Sequence, residues 1–185
     1  MCHFDHGRTS RLGSGGIWKD FTDQKIQTKF KQLCTQGEEE GDQSESTIPT
    51  VGVDISSVDV NGISLEIREI GATMASKWES YYLDCSALVF VIDVSDLGAL
   101  PSDLVLLHEV LSNRLSLLNK PFAILLNKMD IVSDPSTIAV FYNVLRIEDL
   151  QNENCNGLNI ILLSGSSLGS NSSALCLQSW VQTFL

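Results

Sequence analysis

With 185 residues and 43% hydrophobic content, the chain suits one globular domain with a sizeable core and leaves no room for a second of ordinary size. A formal net charge of -11, with no Lys/Arg cluster to offset it, excludes a nucleic-acid or anionic-membrane surface as the main business of the chain. Cys2, Cys34, Cys85, Cys155 and Cys176 are scattered, odd in number and without C-x-x-C spacing, which argues against a disulfide framework or a zinc site and for a reducing, cytoplasmic setting. No apolar run approaches the roughly 20 residues that span a bilayer, the start has no apolar signal core, and Cys rather than Gly at position 2 rules out N-myristoylation of the sequence as written.

Residues 1–46 differ in character from the rest. They hold Gly13-Ser14-Gly15-Gly16, scattered charges and the acidic run Glu38-Glu39-Glu40-Gly41-Asp42, a composition that predicts loose order. Only residues 24–36, with Ile26, Phe30 and Leu33 at helical spacing, carry helical promise there. The domain proper is expected over residues 47–185. Residues 51–60 and 63–70 are β-rich and separated by Asn61-Gly62, the pair favoured by a type I′ hairpin turn, so an antiparallel pair is predicted. Residues 74–83 suit one short helix, and Ala87 to Ile92 is a continuous apolar run of the kind buried on both faces of a parallel sheet.

Leu104, Leu107, Leu111 and Leu118 then recur at helical spacing, and Phe122 to Leu126 forms the next buried strand. Asp134 followed by Pro135 reads as an N-cap and first helical residue, with the helix running to about Arg146. Residues 158–163 make a third buried strand, and Leu177, Trp180, Val181 and Phe184 mark the apolar stripe of a terminal helix. Strands alternating with helices predict an α/β fold: a doubly wound, mostly parallel sheet with one antiparallel hairpin. Ligands of such sheets bind beyond the carboxyl ends of the strands, where Asn127 and Ser164 fall.

Asn127-Lys128-Met129-Asp130 directly follows the strand at 122–126 in the pattern N-K-x-D. A carboxylate at Asp130 accepts two hydrogen bonds from the ring N–H and exocyclic amine of guanine; adenine has no amine there and opposes an acceptor to the carboxylate. Asn127 braces the loop, and the Lys128 stem covers the base. The usual companion of this pattern, the phosphate-cradling G-x-x-x-x-G-K-[ST], is absent: Gly13-Ser14-Gly15-Gly16 lacks the Gly-Lys-Ser/Thr end and follows no predicted strand, and neither Lys19 nor Lys25 is supported as a phosphate ligand.

Thr47-Ile48-Pro49-Thr50-Val51-Gly52, Glu69-Ile70-Gly71, Trp78-x-x-Tyr81-Tyr82, Val91-Ile92-Asp93, Asn127-Lys128-Met129-Asp130 and Ser164-Gly165-Ser166 stand in the order seen in ADP-ribosylation-factor-like small GTPases, and the chain resembles that family over residues 47–185. The resemblance implies a P-loop NTPase fold, with GTP or GDP and Mg²⁺ as ligands. It assigns the Thr50 hydroxyl and carbonyl to Mg²⁺ and the γ-phosphate, the Gly71 backbone N–H to the γ-phosphate, and the Ser164-Gly165 loop to the guanine oxygen, although Gly165 and Ser166 stand where Ala and Lys are usual. Thr73 stands where the family carries the glutamine that orients attacking water, which implies slow hydrolysis. Glu69 replaces an aspartate that helps hold Mg²⁺, and Ala72 replaces a second glycine.

The family's first strand and phosphate loop have no recognisable counterpart. That strand is central, so its loss predicts two unpaired neighbours and a cost of several kcal/mol, given about 25 cal/mol per Å² of apolar area. Residues 28–36 resemble the later part of the family's first helix, so the foreign sequence is expected to stop near residue 27, as a differing first exon would produce.

Two functions follow. One is a GTP-binding switch with slow or absent hydrolysis, which the resemblance places in intracellular or ciliary membrane traffic or signalling, with effector proteins meeting residues 47–54 and 71–82. The other is a nucleotide-free pseudo-GTPase that acts as an interaction protein, or a product that has lost GTP binding, because a base contact alone gives too little affinity without charge-assisted phosphate contacts. Trp78, Tyr81 and Tyr82 read as packing residues before partner contacts, and His108 as a surface histidine with no catalytic role.

Overall fold

The computed structural model describes residues 4–6, 17–19, 52–60, 63–146, 149, 159–165 and 173–184. Thr50, the Asn61-Gly62 turn, Ser166 and the predicted helix at 24–36 lie outside them. The strands are β1 (Phe4–His6), β2 (Ile17–Lys19), β3 (Val53–Val60), β4 (Ile63–Ile70), β5 (Leu88–Asp93), β6 (Pro121–Asn127) and β7 (Asn159–Ser164), joined in one sheet. β3 and β4 form the predicted antiparallel hairpin, in register from Val53↔Ile70 to Val60↔Ile63. β5, β6 and β7 are parallel neighbours, with Asp93 opposite Asn127 and Leu126 opposite Ser164.

The central slot of the sheet is filled, contrary to the expectation of a missing first strand. β2 pairs parallel with β4 on one side (Trp18↔Glu69, Lys19↔Ile70) and parallel with β5 on the other (Ile17↔Leu88, Lys19↔Phe90). β3 occupies the whole of one edge of β4, so β2 shares the opposite edge with β1, which lies antiparallel against residues 65–67. Two three-residue strands thus take the length of β4 that one strand was expected to leave bare. A strand of three residues is too short to show period-two alternation, and Gly13 to Gly16 just before it mask the signal further. Its conformation is decided by backbone partners on both sides.

Both faces of the sheet are covered by apolar side chains. On one face Phe90, Ile92, Ile124 and Leu126 pack with Trp78, Tyr82, Leu107 and Phe141; on the other Val89, Val91 and Leu125 pack with Ala174, Leu177, Trp180 and Val181. This two-sided cover explains the unbroken apolar runs of β5 and β6, whose residues 88–92 and 122–126 are all buried. The helix predicted at 74–83 is divided into a 3-10 segment, Ala72–Lys77, and a single α turn, α1 (Glu79–Tyr82), with a kink at Met74 (φ -104, ψ 18). Trp78, between the two, keeps helical dihedrals (φ -59, ψ -36) and buries its ring edge-on against Phe90, centroids 6.5 Å apart.

The leucine-spaced helix likewise comes in two pieces, α2 (Leu100–Ser112) and α3 (Arg114–Leu117), because Asn113 leaves helical geometry (φ -85, ψ 29). α4 (Pro135–Val144) starts as predicted: the Asp134 carboxylate accepts from Ser136 N at 2.9 Å, and Pro135 opens the first turn. α5 (Ser173–Val181) closes the described chain.

Candidate functional site: the carboxyl edge of β5, β6 and β7

Three parallel strands end together, and the loops that leave them are laced by backbone bonds. Val94 N donates to Asn127 O at 3.1 Å, tying the β5 exit to β6. Gly165 N donates to Leu126 O at 3.0 Å, and Met129 N returns to Gly165 O at 3.2 Å, so the loops after β6 and β7 hold each other. Lys128 is in the left-handed region (φ 63), which turns the chain sharply out of β6, and Ile131 N closes that turn on Lys128 O at 3.2 Å. The 127–130 segment is therefore a fixed platform.

Of the residues expected to read guanine, Asn127, Lys128, Asp130, Ser164 and Gly165 are brought to this one edge. Asn127 is 3% exposed, and its Oδ1 accepts a 2.7 Å bond from Ser173 Oγ at the start of α5. Among the described residues its Nδ2 amine has no acceptor. Lys128 Nζ lies 2.7 Å from Asp93 Oδ2, while Asp93 Oδ1 accepts from Ser95 N at 2.9 Å and Ser95 Oγ at 2.6 Å.

Burial pushes the Asp93 carboxyl up, but the bonds from Lys128 and Ser95 more than offset that and hold it below its ordinary value. Asp130 is exposed beyond the turn. The Ser164 carbonyl accepts from Cys176 Sγ at 3.3 Å, so α5 also supports the β7 exit. Gly165 shows why alanine is missing there: a Cβ would meet the N, Cα and Oγ of Ser173, each at 2.7 Å.

Sequence reasoning missed Asp93, Ser95 and Ser173. In the sequence Asp93 stands only as part of a pattern, and its register opposite Asn127 with the ion pair to Lys128 gives it a role. Ser173 carried no signal, being separated from Asn127 by 46 positions.

At the hairpin end, Gly71 is placed apart from the 127–130 platform, and its N–H, the donor that the resemblance aims at the γ-phosphate, donates to Gly52 O at 3.0 Å. Gly52 has φ +97, a conformation that needs glycine. The Gly71 carbonyl accepts from Met74 N at 3.0 Å and from Trp78 Nε1 at 3.4 Å. Glu69, 2% exposed, is buried at the end of β4, and Thr73 is exposed on the 3-10 segment. Within residues 71–82, Trp78 and Tyr82 are each 1% exposed and belong to the core, which leaves Thr73, Ser76, Lys77, Glu79 and Ser80 as the side chains most open to a partner.

The family model described as "Arf: ADP-ribosylation factor family" matches residues 37–177. The chain belongs to the ADP-ribosylation factor family. Among curated relatives it is similar to ADP-ribosylation factor-like protein 16 of Homo sapiens, 33% identical over 147 residues that make up 78% of this chain and 71% of that protein. It is also similar to ADP-ribosylation factor-like protein 8d of Arabidopsis thaliana, 34% identical over 93 residues, 49% of this chain and 52% of that protein. The chain thus spans about half the length of that plant relative. Among solved structures it resembles the small GTPase Arl6 (BBS3) of Trypanosoma brucei, determined with the nucleotide analogue GppNp, with a TM-score of 0.66 at 19% identity over 90% of this chain and 93% of that one.

The chain is therefore an Arf-like small GTPase with the P-loop NTPase fold. Among the described residues no helix is long and apolar enough to cross a membrane, and no cluster of three or more His, Cys, Asp or Glu is placed to hold a metal ion.

Proposed function

We propose that this Arf-family chain is a guanine-nucleotide-binding switch that hydrolyses GTP slowly. The carrying observation is the buried Asn127 carboxamide: one end is held by Ser173, and the other end keeps a donor with no acceptor among the described residues, beside an exposed carboxylate at Asp130. A purine with an acceptor on one edge and two donors on another matches that pair, and guanine alone among the common bases presents both. The Ser164-Gly165 loop is bonded to both β6 and Met129, and offering the Gly165 N–H to the guanine oxygen requires release of its bond to Leu126 O. β2 in the central slot removes the structural objection to a complete nucleotide-binding sheet.

GTP or GDP would bring Mg²⁺ with its phosphates. A carboxylate at Glu69 and the hydroxyl of Thr50 have the hard oxygen chemistry that ion takes. Gly71 N–H reaches a γ-phosphate after releasing Gly52 O, so the 52–71 bond is the contact broken on activation, and residues 71–82 with residues 47–54 form the surface an effector protein reads. Thr73 is too short to align water, which sets hydrolysis slow. The family resemblance carries the expectation of a cytoplasmic protein that acts in intracellular or ciliary membrane traffic or signalling.

A second reading has one observation in its favour: the family match begins at residue 37, downstream of any phosphate loop. In that reading the same platform is retained by a pseudo-GTPase that binds proteins without nucleotide. Titration of the folded chain with a fluorescent GTP analogue decides. Mg²⁺-dependent binding that is abolished in Asp130→Ala establishes the switch, and folded protein that fails to bind establishes the pseudo-GTPase.

A further inference from the structure

We infer that Ser173 is a positioning residue of the guanine site, setting the orientation of the Asn127 carboxamide so that its Nδ2 amine faces the purine. The inference rests on the guanine reading above. Asn127 and Ser173 are 3% and 0% exposed, and the 2.7 Å bond between them joins the last residue of β6 to the first residue of α5. A carboxamide has one acceptor end and one donor end, and it flips freely unless a neighbour distinguishes them. Ser173 Oγ donates to Oδ1, which holds the acceptor end towards α5 and turns the donor end away from it.

Gly165 carries the same inference independently. A methyl group there would collide with the N, Cα and Oγ of Ser173, so glycine at 165 is what lets the first turn of α5 come close enough to bond Asn127. The substitution that makes the 164–166 loop look like a weaker copy of its family pattern is the partner of the serine at 173. Cys176, one turn further along α5, bonds the Ser164 carbonyl, so the same helix steadies both loops of the platform.

Asp130 is assigned the ring N–H and exocyclic amine of guanine, and the 164–165 loop the carbonyl oxygen. Two ring acceptors then remain, N3 on the amine side and N7 on the carbonyl side; because Asn127 lies beside the 164–165 loop, which is bonded to Leu126 O, its donor is assigned to N7. Ser173 therefore acts on N7 through Asn127.

The test pairs a variant with an altered ligand. The affinities of the full chain and of Ser173→Ala are measured for fluorescent GDP and for its 7-deaza analogue, in which a C–H replaces N7. Loss of one directed hydrogen bond predicts that Ser173→Ala weakens GDP by on the order of tenfold and leaves the 7-deaza analogue at its wild-type affinity. Equal weakening of both ligands shows a merely structural contact and overturns the inference. Because the two ligands are compared within one protein, partial unfolding of the variant cancels.

In parallel, the side-chain amide signal of Asn127 is followed by nitrogen-edited NMR without nucleotide; Ser173→Ala is expected to shift it and speed its hydrogen exchange, and an unmoved signal overturns the inference. If the folded wild-type chain binds no GDP at all, the guanine reading fails on that result alone. Ser173 then loses its role towards N7, whatever the amide signal shows of the contact itself.

Discussion

Gly165 and Ser173 are coupled by space alone. With the Cβ of an alanine at 165 only 2.7 Å from the backbone of Ser173, either the 164–165 loop or the first turn of α5 has to shift. Overpacking of this kind costs about 1–3 kcal/mol, so Gly165→Ala is expected to lower the urea midpoint by that equivalent, with Ser164→Ala as a control of small effect. Asp93 belongs to the same scale. Its carboxyl is held below its ordinary value, so it binds protons less readily folded than unfolded, and its contribution is present above the unfolded value of about 3.9 and lost as pH falls through the lower folded value.

Urea midpoints measured across the acid range should therefore fall less steeply in Asp93→Asn than in the wild type, with the difference confined to pH below about 4. The place of Asp130 just beyond a strand was readable in the sequence, because the apolar run of β6 precedes it directly. The roles of Ser173 and Asp93 were not, since each depends on which strand or helix end comes to rest beside β6.

At the scale of elements, legibility followed length and the number of exposed faces. The hairpin of β3 and β4, the buried runs of β5 and β6, and the capped start of α4 each span enough residues to show a period or carry a local hydrogen bond of their own. The elements that escaped are those decided by neighbours. β2 is three residues long and takes its strand conformation from β4 and β5 together. The 72–82 stretch leaves helical geometry at Met74, while the Trp78 ring packs into the core against Phe90.

Lys120 is a further element-scale device: its ammonium bonds the carbonyls of Tyr82 and Leu83 where α1 ends, 2.9 Å in the case of Leu83, and so anchors the 72–83 segment to the start of β6. Lys120→Met keeps the stem and removes those bonds, and is expected to cost roughly 1 kcal/mol in urea unfolding. Hydrogen exchange should report faster opening of residues 78–84 in that variant, with β6 unchanged.

For the molecule as a whole, the decisive feature is the filled centre of the sheet. Pairing on both edges makes β2 a central strand, where proline is excluded because it removes a ladder N–H. Trp18→Pro is expected to destabilise the chain by about 3 kcal/mol or more, read by circular dichroism during thermal unfolding. A midpoint unchanged by Trp18→Pro would show that β2 is not paired there.

By itself the sequence determined the α/β class, the family, and the N-K-x-D pattern with its place at a strand end, because apolar periodicity and the residues Asn127 to Asp130 are local properties. Only the tertiary structure decided that a three-residue strand closes the sheet, that Trp78 and Tyr82 are core, that Gly71 N–H is held by Gly52, and that Ser173 orients Asn127. Each of those depends on contacts between residues far apart in the chain, which packing of both sheet faces brings together.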